Sequence, residues 1–348
     1  MDFDRFAEVL PTEGDILLCT HRHPDPDGLG AMVGVAHLLE QRFGLGSAMV
    51  LEGRIRRAEN VAMRKLLDIR ALPKGGVDPA AYQGILVVDS QPHFTHTHPP
   101  GGLPMLGCID HHLGKECAEG EQEDMPFRWV DDSYGATSTM VDHLMRHFGV
   151  EPDVRTATAL FCGVRYDTNN LLRGATAYDE ESFRRLEQQA DRRLLGAIDQ
   201  PELPREYFRQ MREALDAGEV IGPLVLTLLG EVQSPESVAE IADWFLRLEG
   251  DQWSLAGGAS EGRYQVSLRS DLPDADAYPV LRFIIGEDGA CGGHGRMAGG
   301  QIPLTDRSLE EVQETVRRRA LQAFDLQDKS GSPLVRNPQG SGKKGESR

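Results

Sequence analysis

Three short apolar runs in the first 110 residues each lead into aspartate at once or within a few residues, and this pattern constrains the fold more than any other feature. "DILLCT" (15–20) runs into "HRHPDPDGLGA", "ILVVD" closes on Asp89, and "LGCID" closes on Asp110. Short runs rich in Ile, Leu and Val read as buried strands, and the polar residues behind them mark where each strand leaves its sheet. "SAMVLE" (47–52) and "FRWVD" (127–131) read the same way. Helical periodicity fills the intervals: about Gly28 to Arg42, with Leu29, Met32, Val33, Ala36 and Leu39 apolar, then 57–69, 136–148 and 153–167. This alternation predicts an α/β domain, a parallel sheet with helices on both faces.

In such a sheet the carboxyl ends of the strands form one rim, and ligands bind there. Asp25, Asp27, Asp89 and Asp110 fall on that rim, with His21, His111 and His112; Asp167, at the end of "FCGVRYD", is a fifth carboxylate. A lone strand-end aspartate is ordinarily a turn or cap residue. Five of them with three histidines crowd like charges that persist only beside a compensating cation. Carboxylates mixed with imidazoles suit manganese, magnesium or iron. Two metals about 3.5–4 Å apart would activate a water and clamp the oxygens of a displacement at phosphorus.

The five cysteines show no CxxC spacing and read as core thiols rather than a disulfide or zinc set. No run approaches the roughly 20 apolar residues of a membrane span, and the acidic N-terminus does not read as a signal peptide, so a cytoplasmic protein is expected. The formal net charge of −18 disfavours a protein that coats duplex nucleic acid.

After a charged helical stretch, "PLVLTLLG" (223–230) opens a second set of elements: the helix "SPESVAEIADWFLRLEG", strands "DQWSLAGGAS" and "RYQVSLRS", and a last helix near Ser308 to Leu326. "GACGGHGRMAGG" (289–300) has six glycines in twelve residues and reads as a loop whose amides approach an anion. "DDSYGATST" (131–139) reads as a helix start capped by Asp132 or Ser133, its amides directed toward the metal site being the other reading. His93, His96 and His98 lie in a Pro-rich segment that reads as an exposed loop. Gly28 and Gly30 read as the tight turn into the first long helix.

Taken in order, "HRHPDPDGLGA", "VVDS", "IDHH" and "GVRYDTNNL" resemble the successive motifs of the DHH phosphoesterase superfamily. "YQVSLRS" and "GACGGHGRMAGG" resemble the arginine-bearing strand and GGHxxAG loop of the DHH-associated C-terminal domain. The layout is most similar to nanoRNases, the oligoribonuclease/pAp phosphatases. The resemblance implies two divalent metal ions, Mn2+ with Mg2+ as the alternative. His21, Asp25 and Asp89 would hold one, and Asp27, Asp89, His111 and Asp167 the other. His112 would face the scissile phosphate, Asp110 would orient a histidine, and His23 would stand outside the site. Arg269, Ser270, Gly292, Gly293 and His294 would bind substrate.

The implied domains are 1–180, a helical connector 181–221, a substrate-binding domain 222–328, and a disordered tail 329–348. The implied reaction is metal-dependent hydrolysis of short oligoribonucleotides, linear dinucleotides or pAp. The alternatives are a cyclic dinucleotide phosphodiesterase, of which "DTNN" is reminiscent, and a non-catalytic nucleotide-binding regulator. No membrane or stable duplex partner is expected, and the oligomeric state is left open, a homodimer included.

Overall fold

The computed structural model describes residues 2–55, 57–113, 125–250 and 252–335. Two compact units divide after Glu202. The segment expected to connect two domains is therefore shared between them. Cys117 and residues 336–348 of the expected tail lie outside the described residues.

The first unit contains α1 (Asp4–Val9), β1 (Asp15–Cys19), α2 (Pro26–Leu38), β2 (Gly46–Leu51), α3 (Ala58–Leu66) and β3 (Ala71–Pro73). It continues with β4 (Gly84–Val88), β5 (Met105–Asp110), β6 (Phe127–Val130), α4 (Thr137–His147), α5 (Val154–Asp167), α6 (Ala177–Gln189) and α7 (Arg192–Asp199). The strands form one parallel sheet in the order β3-β2-β1-β4-β5-β6. The order reverses between β1 and β4, so the chain segments leaving these two strands diverge and open a crevice at the carboxyl edge.

The parallel sheet expected from the alternation is present, with its two faces covered unequally. Ile16, Leu18, Leu86, Val88 and Ile109 pack with residues of α2, α4 and α5 in the main core. Leu17, Cys19, Val50, Ile85, Val87 and Cys108 form a smaller core with strand and connecting-segment residues such as Leu72, Tyr82 and Leu103. Burial on both faces is why β1 and β4 read as continuous apolar runs rather than alternating ones.

Helix α2 lies deep in this unit, with Pro26 through Val35 all buried. Its glycines set the packing distance. A Cβ on Gly30 would stand 2.5 Å from the carbonyl oxygen of Ala159 in α5, and one on Gly34 would stand 2.6 Å from Val141 in α4. Gly30 therefore serves helix contact and not the entry turn. Gly28 is also inside the helix, where a Cβ would stand 2.7 Å from Thr20 Oγ1 and 3.1 Å from Asp89 Oδ2.

The second unit holds α8 (Arg205–Ala217), β7 (Gly218–Ile221), β8 (Leu224–Glu231), α9 (Pro235–Phe245), β9 (Trp253–Ser260), β10 (Arg263–Ser270) and α10 (Ala277–Ile285). β11 (Ala290–His294), β12 (Met297–Pro303), α11 (Leu309–Ala323) and β13 (Ser332–Pro333) complete it. Its sheet runs β11-β12-β10-β9-β8-β7-β13, antiparallel except between β8 and β9. Residues of α10 and α11 pack on one face and those of α9 on the other.

The glycine-rich segment departs from the loop that its composition suggests. It is an antiparallel hairpin in which Gly292 pairs with Gly299 and His294 with Met297. The backbone ladder holds these strands, and glycine marks where something approaches the sheet closely. Within the segment expected as tail, Ser332 and Pro333 pair with β7.

Candidate metal centre

Asp89 follows the last residue of β4 in a left-handed conformation, φ +56°, while its amide donates to Ile109 O at 2.8 Å. Aspartate tolerates this region better than most side chains, and the turn lifts its carboxylate over the crevice between β1 and β5. The two oxygens face different partners. Oδ2 lies 3.5 Å from His21 Nε2, while Oδ1 lies 3.8 Å from His111 Nε2 and 3.9 Å from His112 Nδ1. Asp89 itself is only 2% exposed.

Two ligand groups share this carboxylate. In one, donor atoms of His21, Asp25 and Asp89 all lie within 4.8 Å of one another; in the other, so do those of Asp89, His111, His112 and Asp167. His21 Nδ1 is 3.0 Å from the carbonyl of Arg22, an arrangement that places the ring proton on Nδ1 and leaves Nε2 as a free lone pair. Asp25 is the N-cap of α2, its Oδ1 accepting the amides of Asp27 and Gly28 at 2.9 and 3.1 Å. His111 Nε2 is 3.0 Å from Asp167 Oδ2, yet it is buried without a hydrogen-bond partner. An orphaned imidazole nitrogen facing two carboxylates fits a divalent cation.

The electrostatics point the same way. Burial works against a charged His111, but the negative charges of Asp167, Asp27 and Asp89 around it outweigh that and hold its pKa well up. His21 is raised likewise, against burial, by Asp25 and Asp89. Burial, then the charge of Asp25, pushes Asp167 up. Protons on these groups would do part of the work that a cation does.

Asp27 falls in neither group. It is fully buried, and its carboxylate accepts the backbone amides of Thr137 (2.6 Å, Oδ2) and Ser138 (2.8 Å, Oδ1) at the start of α4. Burial and the charges of Asp89 and Asp167 raise its pKa well above normal, despite the two amides and the helix dipole that favour the anion. The expected cap at Asp132 or Ser133 is not formed. The α4 N-cap is Ala136, and Asp131 instead receives the Ser133 amide and hydroxyl.

His112 Nδ1 is bonded at 2.8 Å to Asp110, which is fully buried, while the His112 side chain is 53% exposed. Gln91 Nε2 donates to the other Asp110 oxygen and to the His112 carbonyl, both at 2.8 Å, and Arg128 reaches Gln91 Oε1 at 3.3 Å. This chain fixes the ring. His23 turns away to the Arg54 backbone, and His93, His96 and His98 form no metal-ligating group among the described residues.

In the second unit a groove of about 550 Å³ is lined by Pro235 and Val238 of α9, Gln265, Ser267 and Arg269 of β10, and glycines of the hairpin including Gly292 and Gly293. Arg269 Nε bonds Asp243, and Nη1 bonds Ser267 Oγ at 2.7 Å and two carbonyls, which leaves Nη2 without a partner among the described residues. Ser270 is buried away from the groove, its hydroxyl bonded to Gln252 O and the Leu272 amide. The His294 backbone ends β11.

Residues 15–164 match the model of the DHH family, N-terminal domain. The first unit therefore carries a DHH domain. The chain is 27% identical over 325 residues, 90% of its length, to an uncharacterized protein of Methanocaldococcus jannaschii. It is 24% identical over 341 residues, 91% of its length, to the cyclic-di-AMP phosphodiesterase GdpP of Geobacillus thermodenitrificans. It spans 65% of the first relative and 49% of the second. An exopolyphosphatase-related protein of Bacteroides fragilis shares the fold: TM-score 0.73 at 15% identity, covering 93% of this chain and 96% of that one.

Within the DHH domain, sequence reading found the residues at strand ends and missed their supports. Thr137 donates its hydroxyl to Asp89 Oδ1 at 3.0 Å, and Gln91 stands two residues past Asp89 in "VVDSQ". Only the reading that aimed the "GATST" amides at the site pointed toward α4.

Proposed function

We propose that this protein is a metal-dependent phosphoesterase hydrolysing short oligoribonucleotides, linear dinucleotides or pAp. The observation that carries the reading is Asp89, whose two oxygens serve two ligand groups on the switch-point rim. His21, Asp25, Asp89, His111 and Asp167 would hold two divalent ions, with Mn2+ favoured by the carboxylate and imidazole donors. Bound there, such ions supply Lewis-acid activation of water and offset charge developing at phosphorus.

The chain's own groups do the rest. The Arg22 carbonyl keeps His21 in the ligating tautomer. Asp110 orients His112, whose Nε2, without a partner among the described residues, would give a proton to the leaving oxygen. Burial opposes the charged form of His112, but the hydrogen bond to Asp110 outweighs it and the pKa is raised, as a general acid requires. Asp27 draws the α4 amides into the site. The groove of the second unit would take the nucleotide, with Arg269 Nη2 left for a phosphate oxygen.

A cyclic dinucleotide phosphodiesterase is the second reading, supported by the likeness to GdpP across both units. Side-by-side assays with Mn2+ on pAp, pApA, cyclic di-AMP and a 20-nucleotide RNA separate the two. Fastest turnover of pAp or pApA supports the first, and of cyclic di-AMP the second. Manganese binding without hydrolysis of any of them would leave a nucleotide-binding regulator.

A further inference from the structure

Gln265 of β10 and Gln301 of β12 are register partners on adjacent antiparallel strands. By the two-residue period of a strand, Gln265 shares its face with Ser267 and Arg269, and all three line the groove together with Gln301. Both glutamines are half-buried, and neither side chain has a hydrogen-bond partner among the described residues. Two half-exposed amides with no protein partner keep their donors and acceptors available to a ligand that displaces water from them. Two such amides facing one cavity are therefore informative.

The distance along the groove matches a nucleotide. Gln265 and Arg269 are four residues apart on one strand, about 13 Å, which is the reach from a nucleotide's phosphate to the far edge of its base. Between them the floor is flat. Ser267 pairs with Gly299, and Gly299 with Gly292; a Cβ on either glycine would meet nothing within 4 Å. Pro235 and Val238 make an apolar wall suited to a ring face. The carboxamides offer both donors and acceptors, the complement of a base edge.

We propose that Gln265 and Gln301 read the base edge of a nucleotide held in this groove, and so set which nucleotides the protein accepts. The proposal rests on reading the groove as a nucleotide site. It concerns specificity, whereas the metal centre concerns hydrolysis.

The test is calorimetric titration of the full chain, without metal, with AMP, GMP, CMP and UMP. Wild-type protein should separate the four by about tenfold or more in Kd, the effect of one good hydrogen bond. In the Gln265→Leu, Gln301→Leu double variant, the spread should collapse to about threefold or less. Gln301→Glu keeps the side-chain shape but removes its donors, and should shift preference away from uracil, the one base of the four without an amino group, toward the three that present one. Melting curves establish that each variant is folded. No spread in wild type, or a spread unchanged by the substitutions, overturns the proposal. Wild-type hydrolysis of bis(p-nitrophenyl) phosphate with Mn2+, a substrate lacking a base, tests the phosphoesterase reading separately. Its failure alongside a spread that the glutamine variants abolish would sink that reading and leave this proposal standing.

Discussion

Asp89 combines a buried charge with a left-handed backbone, each unfavourable alone. Asparagine tolerates the same backbone and keeps the shape, so two substitutions separate the roles. Asp89→Asn and Asp89→Ala should both cut Mn2+-dependent hydrolysis by about 10³-fold or more, with metal content falling in parallel. Asp89→Ala should also melt lower than Asp89→Asn, by about 1 kcal/mol of backbone strain. Near-normal hydrolysis in either variant would refute the metal assignment.

Titration gives a second prediction at this scale. His111, His21 and Asp167 all have raised pKa values in the metal-free protein, so they hold protons that a metal must displace. Mn2+ affinity should therefore rise with pH from about 6, where Asp167 titrates, toward about 10, where His111 does, with protons released on binding. Calorimetry in buffers of different ionisation enthalpy measures this directly; binding without proton release would contradict it. Asp110→Asn should leave Mn2+ binding intact and lower kcat by about 10- to 100-fold, because His112 loses the acceptor that fixes its ring.

At the scale of elements, the start of α4 is the support most easily disturbed. Its first amides end on Asp27, and its first side chain ends on Asp89. Thr137→Val preserves shape and removes only the hydroxyl, so Mn2+ affinity should fall by about 10-fold or more with little change in melting temperature. The α2–α5 contact is the contrasting case. Gly30→Ala would press a methyl on the Ala159 carbonyl, an overpacking cost of about 1–3 kcal/mol. That should appear as a melting temperature lowered by several degrees, read by differential scanning calorimetry.

Much at this scale was legible. β1, β4 and β5 showed as apolar runs because they are buried on both faces, and their ends showed as aspartates. The glycine-rich hairpin was misread as a loop because composition registers missing side chains and not the backbone ladder that pairs Gly292 with Gly299. The α4 cap was misread because its carboxylate arrives from Asp27, 110 residues earlier in the chain.

For the whole molecule, the charge of −18 is an argument about substrate length. A long polyanion meets that field at many phosphates, a dinucleotide at only a few. Under the proposed function, kcat/KM should fall at least about tenfold from pApA to a 20-nucleotide RNA at low salt. The gap should narrow near 0.3 M salt, where screening shortens the field to about 6 Å. A rate independent of length and salt would argue against it.

The sequence by itself determined the parallel α/β class, the rim and nearly every acidic or imidazole side chain gathered on it, because strand ends and charge crowding are local patterns. Tertiary structure decided how they divide. It placed Asp89 between two ligand groups, turned Asp27 onto the amides of α4, built the Arg128–Gln91–Asp110–His112 chain, and set Gln265 beside Gln301. Each of these joins residues distant in sequence, and only the packing of strands and helices brings such groups within hydrogen-bonding reach.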